Sequence, residues 1–318
     1  MPTGWLFDQA FLHHDTGPGH PESTRRVQAI VDRLERVGLL PRLTALAARP
    51  ATKEEVLANH SIAHWERVLA MCQRGGGHLD GDTPVSSGSW DAALLAAGGT
   101  VAAVDAVMDG QVDNAFCCVR PPGHHAEEKI AMGFCLFNNI AIAARHLLGK
   151  RGLSRVLIVD WDAHHGNGTQ HSFYDDPRMF YFSVHQYPFY PGTGAALEIG
   201  VDKGEGFTLN VPLPAGSGDV EFVGAFEHQL VPAMERFRPE FILLSAGFDA
   251  HASDPLTWLS VTDEGFVRAG LIIRELADRY CAGRWVSVLE GGYNLEALAT
   301  GVENLLRIKM RETTADEG

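Results

Sequence analysis

The chain has 318 residues, 45% of them hydrophobic and 21% charged, and a formal net charge of −14. That length and apolar share suffice for a large core in one α/β unit. The acidic balance excludes a non-specific nucleic-acid binder, which needs basic surface to displace counterions, and fits a protein kept in solution by its own charge.

Cysteines stand at 72, 117, 118, 135 and 281, an odd number with no C-x-x-C spacing. This predicts reduced thiols and a cytoplasmic setting rather than a disulfide framework. The opening "MPTGWLFDQA" lacks the basic-then-apolar pattern of a secretory signal, and no unbroken run of 18 apolar residues occurs, so no membrane partner is expected.

In chain order, the spacing predicts a strand at 5–8 (WLFD) and helices over 21–37, 61–73 and 89–109, the third opening on serine as a cap. A strand at 115–119 (AFCCV) and a helix over 138–148 follow. Strands at 155–160 (RVLIVD) and 179–184 (MFYFSV) precede a helix over 220–236. The last elements are a strand at 241–247 (FILLSAG), a helix over 263–280, a strand at 285–290 (WVSVLE) and a helix over 295–308. The strand runs are continuously apolar, as strands buried on both faces are. Their alternation with helices predicts a single α/β domain over 1–310: a mainly parallel sheet with helices on both faces. Residues 311–318 read as a polar tail.

Five of these runs lead into polar, His-rich or Gly-rich segments: "RPPGHHAEE", "WDAHHGNG", "HQYPFYPGTG", "FDAHASDP" and "GGYN". Ligands of open parallel sheets bind at the C-terminal edge, so all five converge on one predicted site. Asp162 and His164, at i and i+2 in an extended segment, offer a carboxylate and an imidazole to one point, and Asp249 is the best third ligand. Two carboxylates and one imidazole leave an open position, which suits a catalytic zinc. His124 and His125, after Pro-Pro-Gly, are candidate general acid/base groups. Asp160 can hydrogen-bond one histidine of the pair and the uncharged Asn167 the other. Tyr293 can donate to a developing oxyanion. Phe134, Tyr190 and Leu256 are candidates to wall a narrow tunnel for an aliphatic chain.

The segments "RPPGHHA", "GFCLFNN", "DWDAHHGNGTQ", "FYPGTG", "SAGFDAHASDPL" and "LEGGYN", in this order, resemble the zinc-dependent histone deacetylase family. The branch resembled is class II, with its bacterial histone deacetylase-like amidohydrolases; "HPESTRR" (20–26) is similar to that branch's "HPE…R" segment. The resemblance implies an arginase/deacetylase-like fold and removal of acetyl or other acyl groups from acylated amines. Asp162, His164 and Asp249 would hold zinc. His125 would be general base and acid, His124 mainly electrostatic, and Tyr293 would polarise the amide carbonyl. Phe134 and Tyr190 would flank the acyl-lysine tunnel, Asp82 would hold substrate backbone at its rim, and the Gly133 carbonyl would accept from the substrate amide. Backbone oxygens of Asp160, Asp162 and His164, with Ser183 and Val184, would hold a structural potassium. Arg26 would lie near the acetate exit path.

Asn167 stands where class I members carry aspartate, and class II members commonly have asparagine. Tyr293 is retained where weakly active class IIa members have histidine. Leu256 offers no carboxylate to a cationic amine, where some acetylpolyamine-specialised members have glutamate, so an acylated lysine peptide or another small acylated amine is expected over an acetylpolyamine. Self-association is left open. Two rivals remain: a binuclear manganese enzyme of the arginase type, which needs further carboxylates that Ala163, His165 and Gly166 do not supply, and a non-catalytic acyl-lysine or metabolite binding module, which has no need of His124, His125 and Tyr293 together.

Overall fold

The computed structural model describes residues 2–312. The tail expected at 311–318 lies, from residue 313 on, outside the described residues. Among the described residues are ten strands: β1 (Thr3–Leu6), β2 (Thr44–Leu46), β3 (Gly76–His78), β4 (Pro84–Ser86), β5 (Asn114–Cys117), β6 (Val156–Asp160), β7 (Met179–Gln186), β8 (Thr208–Leu213), β9 (Phe241–Ala246) and β10 (Trp285–Leu289). Eight form a parallel sheet in the order β2-β1-β5-β10-β9-β6-β7-β8, and β3 and β4 make a separate antiparallel hairpin. The helices are α1 (Thr24–Arg36), α2 (Lys53–Leu57), α3 (Ile62–Gln73), α4 (Ser89–Met108), α5 (Asn139–Gly149), α6 (Asn167–Ser172), α7 (Asp219–Ala225), α8 (Val231–Phe237), α9 (Asp263–Tyr280) and α10 (Leu295–Lys309).

Each central strand serves two cores because successive side chains point to opposite faces. Leu157 and Val159 of β6 and Ile242 and Leu244 of β9 pack with α1, α7, α8, α9 and α10. Val156 and Ile158 of β6 and Phe241 and Leu243 of β9 pack on the other face with α4 and α5. Helices therefore cover both faces, as the apolar runs predict.

Two expectations are corrected. Ser89 does not cap α4: Gly88 precedes the helix with no side-chain cap, and the Ser89 hydroxyl instead accepts from the Ser86 amide (2.8 Å) and meets His14 Nδ1 (2.7 Å). The helix expected over 220–236 is interrupted by a wider turn at Phe226–Leu230, where Val231 N–H bonds Phe226, five residues back. Pro232 lacks the N–H that would continue the regular ladder, and the wide turn absorbs the defect.

Helix α4 is long and apolar enough to cross a membrane by length and composition, yet 67% of its most apolar window is buried inside the fold. Its Gly98 explains part of that burial: a β-carbon there would stand 2.2 Å from both Arg49 O and Ala51 N, so glycine is what lets the segment at 49–51 lie against the helix. All five cysteines are buried and free of disulfides.

Candidate active site

Strand order decides which loops meet. Strands β5, β10, β9 and β6 are adjacent in the middle of the sheet, and their C-terminal ends carry the His pair, Tyr293, Asp249, and Asp162 with His164. Asp162, His164 and Asp249 each offer a ligand atom within 4.8 Å of the others, the one such cluster among the described residues. His164 Nδ1 lies 3.1 Å from Asp162 Oδ1 and 2.9 Å from Asp249 Oδ2. Ala163 N–H donates to Asp249 Oδ1 (2.8 Å) and Gly291 N–H to Asp162 Oδ2 (2.7 Å), which fixes both carboxylates.

Buried carboxylates this close repel each other, and burial with the neighbouring Asp162 charge pushes Asp249 up to about 7. Burial opposes charge on His164, but the hydrogen bonds it donates to Asp162 and Asp249 and their charge push it up to about 10. The donor set fits a metal cation: two oxygen donors plus one nitrogen with no thiolate suit zinc with an open position. His165 takes no part: its ring nitrogens face Thr193 Oγ1 (2.8 Å) and Gln170 Oε1 (2.9 Å).

The His pair sits on a turn clamped by Glu290, whose Oε2 accepts from Gly123 N–H (2.7 Å) and His124 N–H (3.1 Å). The two rings lie 4.0 Å apart, and each has its own partner behind it. His124 Nδ1 is 3.0 Å from Asp160 Oδ2; His125 Nδ1 is 2.8 Å from Asn167 Oδ1. Tyr181 also donates to Asp160 Oδ2 (3.1 Å). Burial opposes charge on His124, but Asp160, Asp162 and Glu290 push it up to about 10. Burial, then the charges of His124 and His164, pulls His125 well below the ordinary imidazole range. The pair thus divides into a cationic and a neutral imidazole, the second able to take a proton.

Above these groups is a cavity of about 260 Å³ whose walls include Gly133, Phe134, Tyr190, Leu256 and Tyr293, with Asp82 among its lining residues. Tyr190 stands edge-on to His125 (ring centroids 5.2 Å apart), and Phe134 edge-on to Tyr293 (6.0 Å). A β-carbon on Gly133 would stand 2.4 Å from His125 Cδ2, and its φ of +55° also favours glycine. The Gly133 carbonyl accepts from the Cys135 thiol (3.3 Å) in the structure. Asp82 is exposed in the turn between β3 and β4, its backbone oxygen 3.2 Å from His20 Nε2.

Tyr293 is placed by Asp254, whose Oδ2 accepts its backbone N–H (2.8 Å), and by Arg26, whose guanidinium lies 5.1 Å from the ring centroid. Burial pushes the Tyr293 phenol well above its ordinary range, so it stays a donor. Arg26 is fully buried. It donates to the carbonyls of Gly292 (2.7 Å) and Glu290 and to Glu22 (3.2 Å), bracing the turn that bears Tyr293. Asp160 pairs in register with Ser183 across β6 and β7, which sets Ser183 and Val184 beside the Asp162–His164 loop; the Ser183 hydroxyl itself meets His185 Nδ1 (2.8 Å).

Sequence reasoning missed Glu290, Asp254, Tyr181 and Glu127. All four lie inside the quoted segments, and a carboxylate or phenol within or just after an apolar run was the available signal.

An open parallel sheet whose central strand ends hold a carboxylate–imidazole triad of metal-ligand type, a split imidazole pair and a phenol donor at the foot of a narrow cavity fits a hydrolase of amide-type bonds. Residues 20–309 match the family described as "Histone deacetylase domain". A protein of Archaeoglobus fulgidus named "Probable deacetylase" is 44% identical over 298 residues, 93% of this chain and 82% of that one. A histone deacetylase-like amidohydrolase of Pseudomonas aeruginosa is 40% identical over 310 residues, 92% of this chain and 82% of that one. The crystal structure of the HDA15 HD domain superposes with a TM-score of 0.92 at 39% identity, covering 99% of this chain and 89% of that one. The chain belongs to the histone deacetylase family and is a deacetylase.

Proposed function

We propose that the protein hydrolyses acyl-lysine side chains, releasing acetate or a related carboxylate, with one zinc held by Asp162, His164 and Asp249. The observation that supports this most is the meeting of that triad, the divided His pair and Tyr293 at one end of the cavity of about 260 Å³. Bound zinc would supply Lewis acidity to the acyl oxygen and to the attacking water. His125, neutral and with Nδ1 occupied by Asn167, accepts the water proton at Nε2. The oxygen attacks the acyl carbon while the Tyr293 hydroxyl donates to the acyl oxygen and cationic His124 adds positive charge beside it. His125 then returns the proton to the lysine nitrogen, the C–N bond breaks, and amine and carboxylate leave. Potassium would be held by backbone oxygens of Asp160, Asp162, His164 and Val184 with Ser183, hard donors that suit such an ion.

Leu256, half-buried in the cavity wall, supports acyl-lysine over acetylpolyamine because it offers no charge to a second amine. The test is turnover by zinc-loaded protein of acetyl-lysine peptide, longer acyl-lysine peptides, N-acetylputrescine and N-acetylspermidine. Tyr293→Phe should lower kcat by about 10²–10³, the effect of losing one oxyanion donor. Turnover of peptides with that loss supports the reading. Turnover of polyamines alone overturns the substrate, and a loss below about threefold overturns the role of Tyr293.

A further inference from the structure

Behind the neutral histidine stands a carboxylate that the mechanism above does not use. Asn167 Nδ2 donates to Glu127 Oε1 at 2.5 Å. Its other neighbours are weaker acceptors: His125 O at 3.4 Å and Met132 Sδ at 3.5 Å. The same Glu127 oxygen lies 2.8 Å from Nδ1 of His171, on the surface side of α6. Glu127 is itself held by its main chain, its N–H donating to Ile130 O (2.9 Å) and its carbonyl lying 2.8 Å from His60 Nδ1.

This chain of contacts has a direction. A carboxylate only accepts, so the amide end that faces Glu127 is the NH₂ end. The Asn167 carbonyl must then face His125, and His125 Nδ1 must carry the proton it donates there. The lone pair is left on Nε2, the nitrogen that takes the water proton. Were the amide reversed, its NH₂ would face Nδ1, the proton would move to Nε2, and the base would have no lone pair for water. Asparagine can reverse in this way; an aspartate at the same place, with two like oxygens, cannot.

We infer that Glu127 is a positioning residue that fixes the orientation of the Asn167 amide and thereby the Nδ1–H tautomer of His125. The inference rests on the reading of His125 as general base. It gives the carboxylate behind the histidine a place one hydrogen bond further out.

The experiment uses zinc-loaded full chain in four forms: native, Glu127→Ala, Glu127→Gln and Glu127→Ala with Asn167→Asp. One readout is kcat and KM on the best acyl-lysine peptide. The other is the imidazole ¹⁵N spectrum of His-labelled protein, which distinguishes the two tautomers, with His125 assigned by its loss in His125→Gln. Glu127→Ala should lower kcat by about 10–100-fold at unchanged KM, the usual range for a group that orients a catalytic one. Its His125 should lose the pure Nδ1–H signature. Glu127→Gln, whose amide can accept from Asn167 but can also reverse and donate to it, should fall between native and Glu127→Ala. The double variant should recover most of the lost kcat, which no purely structural role predicts. Glu127→Ala with native kcat and an unchanged His125 tautomer overturns the inference, as does a double variant no better than the single one. If the native protein turned over no substrate, the deacylation reading would fall, and the ¹⁵N spectra would still decide whether Glu127 sets the tautomer.

Discussion

Gly291 makes a demanding test of the metal triad, because it touches two ligands and none of the chemistry. Its backbone lies outside the left-handed region, so alanine is conformationally admissible. The new methyl would stand 2.4 Å from Asp249 Oδ2 and 2.5 Å from Asp162 Oδ2, where real β-carbons essentially never come closer than 3.0 Å. Each carboxylate oxygen must therefore retreat by at least about 0.5 Å, whereas metal–ligand distances tolerate about 0.2 Å. Both carboxylates are buried against neighbours, so neither has free space to take up the shift. Gly291→Ala should weaken zinc by at least about 10–100-fold, read by competition against a chelator of known affinity, and activity should return only at high added zinc. Gly149→Ala, where an added methyl meets nothing within 4 Å, is the matched control. Zinc affinity within about twofold of native in a folded Gly291→Ala protein would refute the assignment of Asp162 and Asp249 as joint ligands.

Leu256→Glu places a carboxylate in the cavity wall and should raise kcat/KM for N-acetylspermidine relative to acetyl-lysine peptide by about tenfold or more, in a competition assay with both substrates. Burial disfavours the Glu22 carboxylate, but Arg120, bonded to it at 2.5 and 2.7 Å, brings it down to about 2. A depressed carboxyl contributes stability that is complete above its ordinary value of 4.5 and lost as pH falls through about 2, so the Tm gap between native and Glu22→Gln should narrow across that window. Lys309 is buried with no hydrogen-bond partner for Nζ, which sits 3.1 Å from the Trp285 ring centroid. Burial holds this amine well below its ordinary 10.5, so protonation works against the folded state increasingly as pH falls below that value. Lys309→Met should raise Tm, and by more at pH 6 than near the ordinary lysine value, in thermal melts across that range.

The central strands were legible because burial on both faces writes a continuous apolar run, and β6, β9 and β10 fall within a residue or two of the expected bounds. Strands β2 and β8 escaped notice for the converse reason. They are the sheet's two edges, β2 is largely exposed, and β8 carries Asn210 and Pro212 in its run. The site's first layer was legible because Asp162, His164, His124, His125 and Tyr293 sit in loops directly after those strands. The groups behind them were harder. Glu290 and Asp254 act by accepting backbone N–H groups, from Gly123 and Tyr293 respectively, and nothing in a carboxylate's own neighbourhood announces a partner 167 or 39 residues away. Asp160 and Asn167 were reachable because their histidines were already in view.

The strand order carries a consequence for how the chain is made. The two strands that complete the middle of the sheet, β9 and β10, are the last to leave the ribosome, and they insert between β5 and β6. Before β9 the chain holds the strands of two part-sheets separated by a gap two strands wide; β9, complete at residue 246, narrows the gap to one strand, and β10, complete at residue 289, closes it, so until then each part-sheet lacks a partner for an apolar edge. From the end of β8 at Leu213 to the end of β10 at Leu289, that interval lasts about 4–15 s at ordinary rates of synthesis. Premature truncation anywhere in this stretch yields sticky edges rather than a smaller working enzyme.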